Sequence, residues 1–238
     1  MSMFDQFNGA KVLITGHTGF KGAWLSAWLK KLGAEVVGIS LEELDNLSHF
    51  NVSNIDIGMR DYRLDIRNQK ALNEIVQSEE PDFVFHLAAQ ALVRQSYDDP
   101  VATWSTNVIG TLNLLESLRL LKKSCYAVMI TSDKCYDNVE WVWGYKETDA
   151  LGGPDPYSAS KGAAELVIRS HIKSFFPKEG KIKIASARAG NVVGGGDWSQ
   201  DRIIPDCVKA WSEGETVKLR KPHATRPWQH VLEPLSGY

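Results

Sequence analysis

The sequence lacks the features that mark a membrane protein or a secreted, disulfide-bonded one. Its 238 residues contain no uninterrupted apolar run near the roughly 18 residues of a spanning helix, and the N-terminal segment carries Asp5 without the apolar core of a signal peptide. Cys125, Cys135 and Cys207 are widely spaced and form no CxxC pair, so neither a disulfide framework nor a zinc site is indicated. We expect a reduced, cytoplasmic protein without a metal and without membrane contact.

The chain also lacks an excess of charge of either sign. Lys and Arg total 27, Asp and Glu total 29, and the formal net charge is −2. Because nucleic-acid surfaces are strongly basic, we expect no nucleic-acid partner. A hydrophobic content of 43% is enough for a substantial core, in one large domain or two small ones.

Apolar segments of strand length alternate with longer helical patterns over the first 188 residues. The predicted strands are residues 11–15, 35–39, 62–64, 83–87, 126–131 and 182–187. The predicted helices are residues 20–32, 68–79, 100–121 and 162–176. Residues 46–60 show no clear period and are interpreted as a loop. The alternation predicts an α/β fold, a Rossmann-type doubly wound parallel sheet covered on both faces.

The character of the sequence changes after Arg188. Gly190, Gly194, Gly195 and Gly196 interrupt the chain, and only residues 203–213 have a clear helical pattern. We therefore expect one domain over residues 1–188 and the start of a smaller lobe over residues 189–238. The chain stops in the apolar segment 235–238, so this lobe is expected to be truncated.

Three glycines spaced Gly16-x-x-Gly19-x-x-Gly22 follow the first predicted strand and open the first predicted helix. Gly16 allows a tight turn, Gly19 lets a diphosphate approach the backbone, and Gly22 permits close packing of the helix on the strand. The N-terminus of the helix offers free N–H groups to the same phosphates. The segment predicts a dinucleotide-binding turn that includes Thr18 and Phe20, against the alternative of a glycine-rich turn without a ligand.

Tyr157 and Lys161 lie four residues apart, which places their side chains on one face of a helix, one turn apart. A positive charge near a phenol favours the phenolate and so makes it a better base at neutral pH. Such a pair can take a proton from a sugar hydroxyl as hydride leaves the same carbon. The alternative is a half-buried tyrosine beside a lysine that reaches for solvent, but the upstream glycine turn favours nicotinamide redox chemistry.

The end of the second predicted strand bears on the choice between NAD and NADP. An acid there normally binds the adenosine ribose, whereas this chain has Ser40, followed by Glu42 and Glu43. No arginine follows this strand to meet a 2′-phosphate. The pattern leaves both cofactors open and favours NAD.

Later strand ends supply further candidate cofactor contacts, since ligands bind at the carboxyl edge of a parallel sheet. Asp65 and Ile66, after the third predicted strand, are placed on either side of the adenine. The segment Leu87–Gln90, after the fourth, contains small residues that let a ligand approach the backbone. A solvated loop acid and ordinary core residues are equally compatible with these segments. The candidates are Asp65, Ile66, Leu87, Ala88, Ala89 and Gln90.

Ser132, Asp133 and Lys134 follow the fifth predicted strand and should emerge at the same edge. Ser132 can hydrogen-bond the hydroxyl that Tyr157 deprotonates, while Asp133 and Lys134 supply an acid and a potential base. Taken alone, the segment also fits a strand-end cap with a surface ion pair of little energetic weight.

In the later lobe, Asn191, Arg202 and Arg226 are candidate substrate contacts. Arginine binds phosphate oxygens in bidentate fashion, as recognition of a sugar-nucleotide diphosphate requires. Ordinary surface arginines are the alternative interpretation.

Six segments together resemble the extended short-chain dehydrogenases, and among them the sugar-nucleotide 4,6-dehydratases. The resemblance runs from about residue 8 to the last residue. Ser132-Asp133-Lys134 is its most specific part, because dehydratases of dTDP-glucose have Asp-Glu at the last two positions and 4-epimerases have small residues there. The segments are residues 15–22, 87–90, 132–136, 157–161, 188–198 and 226–231.

The resemblance implies NAD as cofactor, a nucleotide-sugar substrate with CDP-glucose favoured, and a homodimer formed through helices 100–121 and 162–176. It adds Thr106 to the cofactor site and Arg94 and Asn107 to the substrate site. The resemblance implies that residues 1–188 are an NAD-binding domain and that residues 189–238 are the start of a sugar-nucleotide lobe.

The resemblance also implies a three-stage reaction. Tyr157, helped by Ser132 and Lys161, removes the C4 hydroxyl proton during oxidation; Lys134 then takes the C5 proton while Asp133 protonates the departing C6 hydroxyl. Hydride finally returns to C6. The alternatives are another sugar-nucleotide 4,6-dehydratase, a 4-epimerase, which needs neither Asp133 nor Lys134, and an NAD-binding module with impaired catalysis.

Overall fold

The computed structural model describes residues 4–43 and 46–238. Its centre is a parallel sheet of six strands in the order β3-β2-β1-β4-β5-β6, which confirms the predicted Rossmann-type architecture. The chain starts in the middle of the sheet and builds outward on both sides, so a crevice opens between β1 and β4, where the order reverses. The strands are β1 Lys11–Thr15, β2 Glu35–Ser40, β3 Arg60–Arg63, β4 Phe83–His86, β5 Cys125–Ile130 and β6 Ile182–Ala187.

Helices cover both faces of the sheet, and a short parallel pair of strands lies outside it. The helices are α1 Phe20–Lys31, α2 His49–Val52, α3 Gln69–Glu79, α4 Val93–Asp98, α5 Pro100–Trp104, α6 Thr111–Arg119, α7 Pro156–Phe175, α8 Ile203–Ser212 and α9 Leu232–Gly237. The short pair consists of β7 Val192–Val193 and β8 Gln229–His230.

Each face of the sheet has its own apolar core. Leu13 of β1 belongs to the core formed with α3, α6 and α7, whereas its neighbours Val12 and Ile14 belong to the core formed with α1, as the period of two along a strand requires. Val231 and Leu235 complete the second core. The segment after residue 188 therefore packs directly on the sheet, and the division into two domains at that residue stays a prediction.

The predicted helix over residues 100–121 is interrupted. Residues 105–110 form a π-helical turn between α5 and α6, a local widening that is frequent at functional sites. Gly110 ends this turn against Ile66, and a Cβ on Gly110 would lie 2.4 Å from the Ile66 Cδ1 atom. Thr106 and Asn107 both lie in this turn.

Helix α7 begins before the predicted Gly162. It starts at Pro156, where proline suits the first helical turn, and the Asp155 side chain caps it by accepting a hydrogen bond from the Ser158 backbone N–H. Tyr157 thus lies in the first turn of α7.

Other short elements were not predicted. Residues 46–60, interpreted as a loop, contain α2 and end at the first residue of β3. The sequence likewise did not predict helices α4 and α9 or strands β7 and β8. They are too short for a helical or strand period to show in the sequence.

A buried ion pair joins α7 to the carboxyl ends of β5 and β6. Arg188 donates from Nε and Nη2 to the two carboxylate oxygens of Glu165 at 2.9 and 3.0 Å, and Thr131 donates to the same carboxylate. Burial by itself would raise the pKa of Glu165, but these bonds outweigh it and hold the pKa below its usual value. The pair keeps a charged carboxylate stable in the interior beside the segment Ser132–Lys134.

We expect Arg188→Met to lower the free energy of unfolding by about 3–5 kcal/mol at neutral pH, because the Glu165 charge stays buried without its partner. A folded-state pKa below the unfolded one stabilises the protein only where the carboxylate is ionised. The deficit should therefore shrink as the pH falls below about 4.3. Urea denaturation against pH measures both effects.

The matched control is Arg119→Met. Arg119 pairs with Glu116 at 2.6 Å, but the two side chains are 42% and 26% exposed, so the loss should stay within about 1 kcal/mol. Equal losses for the two variants would contradict the role given to the buried pair.

Candidate active site

The glycine turn lies against the end of β4. Gly16 has a φ of +77°, and a Cβ on it would lie 2.6 Å from the Ala88 backbone nitrogen. A Cβ on Gly22 would lie 2.1 Å from the Gly16 carbonyl oxygen, so both glycines are required by close backbone contact. Gly19 precedes α1, and no side chain caps the first turn of that helix. This cradle of bare backbone and free N–H groups fits a dinucleotide diphosphate.

Side-chain hydrogen bonds tie the turn to the neighbouring strand ends. The Thr18 hydroxyl lies 2.7 Å from the Ser40 hydroxyl and donates to the Leu41 carbonyl at 3.1 Å. Thr18 and Ser40, both predicted to contact the cofactor, therefore meet at the end of β2.

A buried polar chain runs beneath the crevice. His86 lies between the hydroxyls of Thr15 and Thr111, at 2.7 Å from Nδ1 and 3.0 Å from Nε2. Burial, followed by the charge of Lys161, lowers the pKa of His86 to about 3. The ring is therefore neutral at physiological pH and serves as a fixed link between β1, β4 and α6.

The end of β5 meets the first turn of α7. Ser132 donates to the Asp133 carboxylate at 3.0 Å and accepts from the Lys134 backbone N–H at 3.2 Å. The pKa of Tyr157 is raised, mainly by burial; a hydrogen bond with Ser132 lowers it in part, and the charge of Asp133 raises it further. The structure thus brings Ser132, Asp133 and Tyr157 together.

Burial changes the electrostatics that the spacing of Tyr157 and Lys161 predicts. Lys161 is only 6% exposed, and burial together with the charge of Lys21 lowers its pKa to about 8. In the protein alone the pKa of Tyr157 is raised, because desolvation of the phenol outweighs the effects that favour the phenolate.

Lys21 was missed by the sequence analysis. Its ammonium donates to the Tyr238 hydroxyl at 3.2 Å. Burial and the charge of Arg202 lower its pKa to about 8, against the opposing effect of Asp133. Lys21 therefore lies within electrostatic range of Asp133, Arg202 and Lys161. Its position inside the glycine turn, between Phe20 and Gly22, is the signal that could have identified it.

Several predicted contacts are engaged within the protein. Asn107 accepts from the Gln90 backbone N–H at 2.9 Å and donates to the Gln90 carbonyl and to the Ser160 hydroxyl. Asp65 binds Arg67 at 2.6 Å, and this bond lowers the pKa of Asp65. These bonds position the strand ends, and the ligand contacts assigned to Asn107, Gln90 and Asp65 stay predictions.

The residues predicted to bind substrate are dispersed. Arg202 lies near Tyr157, where its charge lowers the pKa of the phenol, and it pairs with Asp197 at 2.7 Å. Arg94 is 72% exposed and pairs with Asp201. Arg226 is exposed, and the Asn191 carbonyl accepts the Gln229 N–H between β7 and β8. Among these residues, only Arg202 is close enough to Tyr157 for its charge to shift the pKa of the phenol.

An arginine does lie beside the end of β2, contrary to the sequence analysis. Arg63 ends β3 and is in register with Ser40. It donates to the Leu41 carbonyl at 3.3 Å. Arg63 is distant from Ser40 in the sequence, and only the pairing of β2 with β3 brings the two together.

The described residues, 4–43 and 46–238, contain neither a candidate metal cluster nor a candidate membrane-spanning helix. No group of three or more His, Cys, Asp and Glu side chains in these ranges could hold a metal ion. No helix in the same ranges combines the length and apolarity needed to cross a membrane.

The comparisons with known proteins agree with this geometry. The chain is 49% identical over 236 residues to the CDP-glucose 4,6-dehydratase of Salmonella typhimurium, covering 98% of this chain and 66% of that protein. The chain thus spans 66% of that relative's length.

Two solved structures share the fold. An epimerase of Methanothermobacter thermautotrophicus superposes with a TM-score of 0.86 at 25% identity, covering 98% of this chain and 68% of its own. MoeE5 in complex with UDP-glucose and NAD gives a TM-score of 0.77 at 25% identity, covering 94% and 69%.

A family model described as GDP-mannose 4,6 dehydratase matches residues 13–237, almost the whole chain. Together with the dehydratase relative, this match shows that the chain belongs to the GDP-mannose 4,6-dehydratase family of extended short-chain dehydrogenases.

Proposed function

We propose that the chain is the NAD-binding, catalytic part of an enzyme that dehydrates CDP-glucose to CDP-4-keto-6-deoxyglucose. The observation that carries the proposal is the convergence of Ser132, Asp133 and Tyr157 at the carboxyl edge of the sheet, beside a glycine cradle that fits a dinucleotide. The 49% identity to a CDP-glucose 4,6-dehydratase favours CDP-glucose among nucleotide sugars.

The proposed residues fall into a group for the redox steps and a group for the elimination of water. Bound NAD⁺ would accept a hydride and later return it. Tyr157 takes the C4 hydroxyl proton, and its hydrogen bond with Ser132 already favours the phenolate against the effect of burial. The resulting 4-ketone acidifies the C5 hydrogen, Lys134 removes that proton, and Asp133 protonates the leaving C6 hydroxyl. Lys161, with a pKa of about 8, is largely protonated at neutral pH and favours an anionic Tyr157 once oxidation begins.

A 4-epimerase is the second candidate, because the solved epimerase has the same fold. It would use Tyr157 and Lys161 but leave Asp133 and Lys134 without a role. Incubation with NAD⁺ and, in turn, CDP-, UDP-, dTDP- and GDP-glucose tests the choice. A 4-keto-6-deoxy product only with CDP-glucose supports the proposal; a 4-epimer from any of them contradicts it.

The same proposal includes a homodimer. The outer face of α5 and the π-helical turn is apolar and open, with Val101, Trp104 and Ile109 exposed by 77%, 41% and 47%. They border a surface cavity of about 440 Å³ together with Pro100 and Val108. On α7, which packs beside this helix, Leu166 is 48% exposed. A second copy of the chain would cover this surface.

We expect Val101→Glu to weaken the dimer, because association would bury a charge in an apolar interface. Sedimentation velocity at micromolar concentrations should show the monomer for this variant and the dimer for the unsubstituted protein. Val52→Glu is the control, since Val52 is 59% exposed on α2, away from this surface. A monomer for the unsubstituted protein, or no effect of Val101→Glu, would contradict the interface.

Lys134→Met should separate oxidation from elimination. Oxidation by Tyr157 should persist, so NADH absorbance should accumulate in a single turnover with CDP-glucose. The 4-keto-6-deoxy product should fall about 10²- to 10⁴-fold, the usual effect of losing a general base.

Tyr157→Phe is the comparison variant, and it should suppress the NADH signal itself because the first base is lost. Normal turnover by Lys134→Met would contradict the role of Lys134. So would a block of the first hydride transfer as complete as that of Tyr157→Phe.

A further inference from the structure

Arg63 is surrounded by carboxylates at the end of β2. Its Nη2 donates to Glu43 at 2.7 Å and to Asp61 at 2.8 Å, and its Nε also reaches Asp61 at 3.1 Å. Glu42 lies 3.3 Å from Nη1. The guanidinium also lies over the Phe50 ring, 5.4 Å from its centroid. These contacts fix the side chain in place.

The cluster lies where the fold is built to meet the adenosine ribose. In Rossmann folds the residue at the end of the second strand contacts this ribose, and here Ser40 holds that position in register with Arg63. The Leu41 carbonyl accepts hydrogen bonds from both Thr18 of the glycine turn and Arg63. A ribose bound beside the Thr18–Ser40 hydroxyl pair is therefore adjacent to Glu43 and Arg63.

Glu43 and Arg63 are both charged at neutral pH. Burial by itself would raise the pKa of Glu43, but the hydrogen bond and charge of Arg63, together with a backbone hydrogen bond, outweigh it, so the pKa of Glu43 is lowered. The pKa of Arg63 is raised by its bonds to Glu43 and Asp61, which outweigh the effect of burial. His17 donates from Nε2 to the second oxygen of Asp61 at 2.8 Å, so that carboxylate is held from both sides.

We infer that Glu43 and Asp61 set the preference for NAD over NADP by occupying Arg63. Without these acids Arg63 has the geometry of a 2′-phosphate ligand, because arginine binds phosphate in bidentate fashion. With them, its donors are already used, and the Glu43 charge repels a phosphate while its oxygens can accept ribose hydroxyls. The inference rests on the proposed function, since it concerns the cofactor of the same site.

Glu43→Gln tests the inference in the full chain through cofactor binding alone. The amide keeps the size of the side chain but removes the negative charge. This weakens the hold of Glu43 on the Arg63 Nη2 atom and removes its repulsion of a 2′-phosphate, while Asp61 still binds Arg63. The ratio of the NADP⁺ to the NAD⁺ dissociation constant, measured by calorimetry, should fall by roughly tenfold or more, since hydrogen bonds to charged groups contribute on that scale.

The double variant Glu43→Gln with Arg63→Gln should lose that gain in NADP⁺ affinity. Glu116→Gln is the matched control, because Glu116 also pairs with an arginine, Arg119, at 2.6 Å, but on α6. The ratio of the NADP⁺ to the NAD⁺ dissociation constant should be unchanged in this variant.

The outcomes separate the two proposals. NAD⁺ binding with a ratio unchanged by Glu43→Gln, or a gain that persists without Arg63, would overturn the inference and leave the proposed function intact. Failure of the unsubstituted chain to bind either dinucleotide would contradict the proposed function itself, and the inference with it.

Discussion

The close contact between the glycine turn and the end of β4 is the constraint on which the site depends. Only glycine fits at Gly16 and Gly22, where backbone atoms would meet a Cβ at 2.6 and 2.1 Å. This contact brings β1 beside β4, and the Thr15–His86–Thr111 chain extends the link to α6. From the adjoining π-helical turn, Asn107 reaches Ser160 on α7. The helix that carries Tyr157 is therefore positioned by a continuous series of backbone and hydrogen-bond contacts that begins at the glycine turn.

Burial then decides how the charged groups behave. Lys21 and Lys161 each have a pKa lowered to about 8, in both cases first by desolvation and then by a neighbouring cation. An anionic ligand bound near these two lysines would offset the repulsion between the cations. Glu165 differs from these lysines because burial does not destabilise its charged form overall. Arg188 and Thr131 supply enough hydrogen bonds to keep the carboxylate ionised in the interior.

The sequence predicted the parts of the molecule that depend on local pattern. Apolar runs marked five of the six strands of the sheet, and β3, which is polar, was predicted only in its second half. The spacing of Tyr157 and Lys161 correctly placed both on one helix, α7. It could not predict what depends on packing between distant segments. Arg63 reaches the end of β2 only through the register of two strands. The pKa of Tyr157 follows from burial by several elements, which its four-residue spacing from Lys161 does not encode.

The proposed roles come from two different elements, and this separation has a chemical consequence. The redox pair, Tyr157 and Lys161, lies on α7, whereas the elimination pair, Asp133 and Lys134, lies after β5. Ser132 donates to Asp133 and also bonds to Tyr157, while the Glu165–Arg188 pair separately holds α7 against the ends of β5 and β6. Residues after β5 can therefore change without moving the redox pair. One scaffold can then retain oxidation at C4 while the second step becomes elimination, as proposed here, or the return of hydride to the same carbon, as in an epimerase.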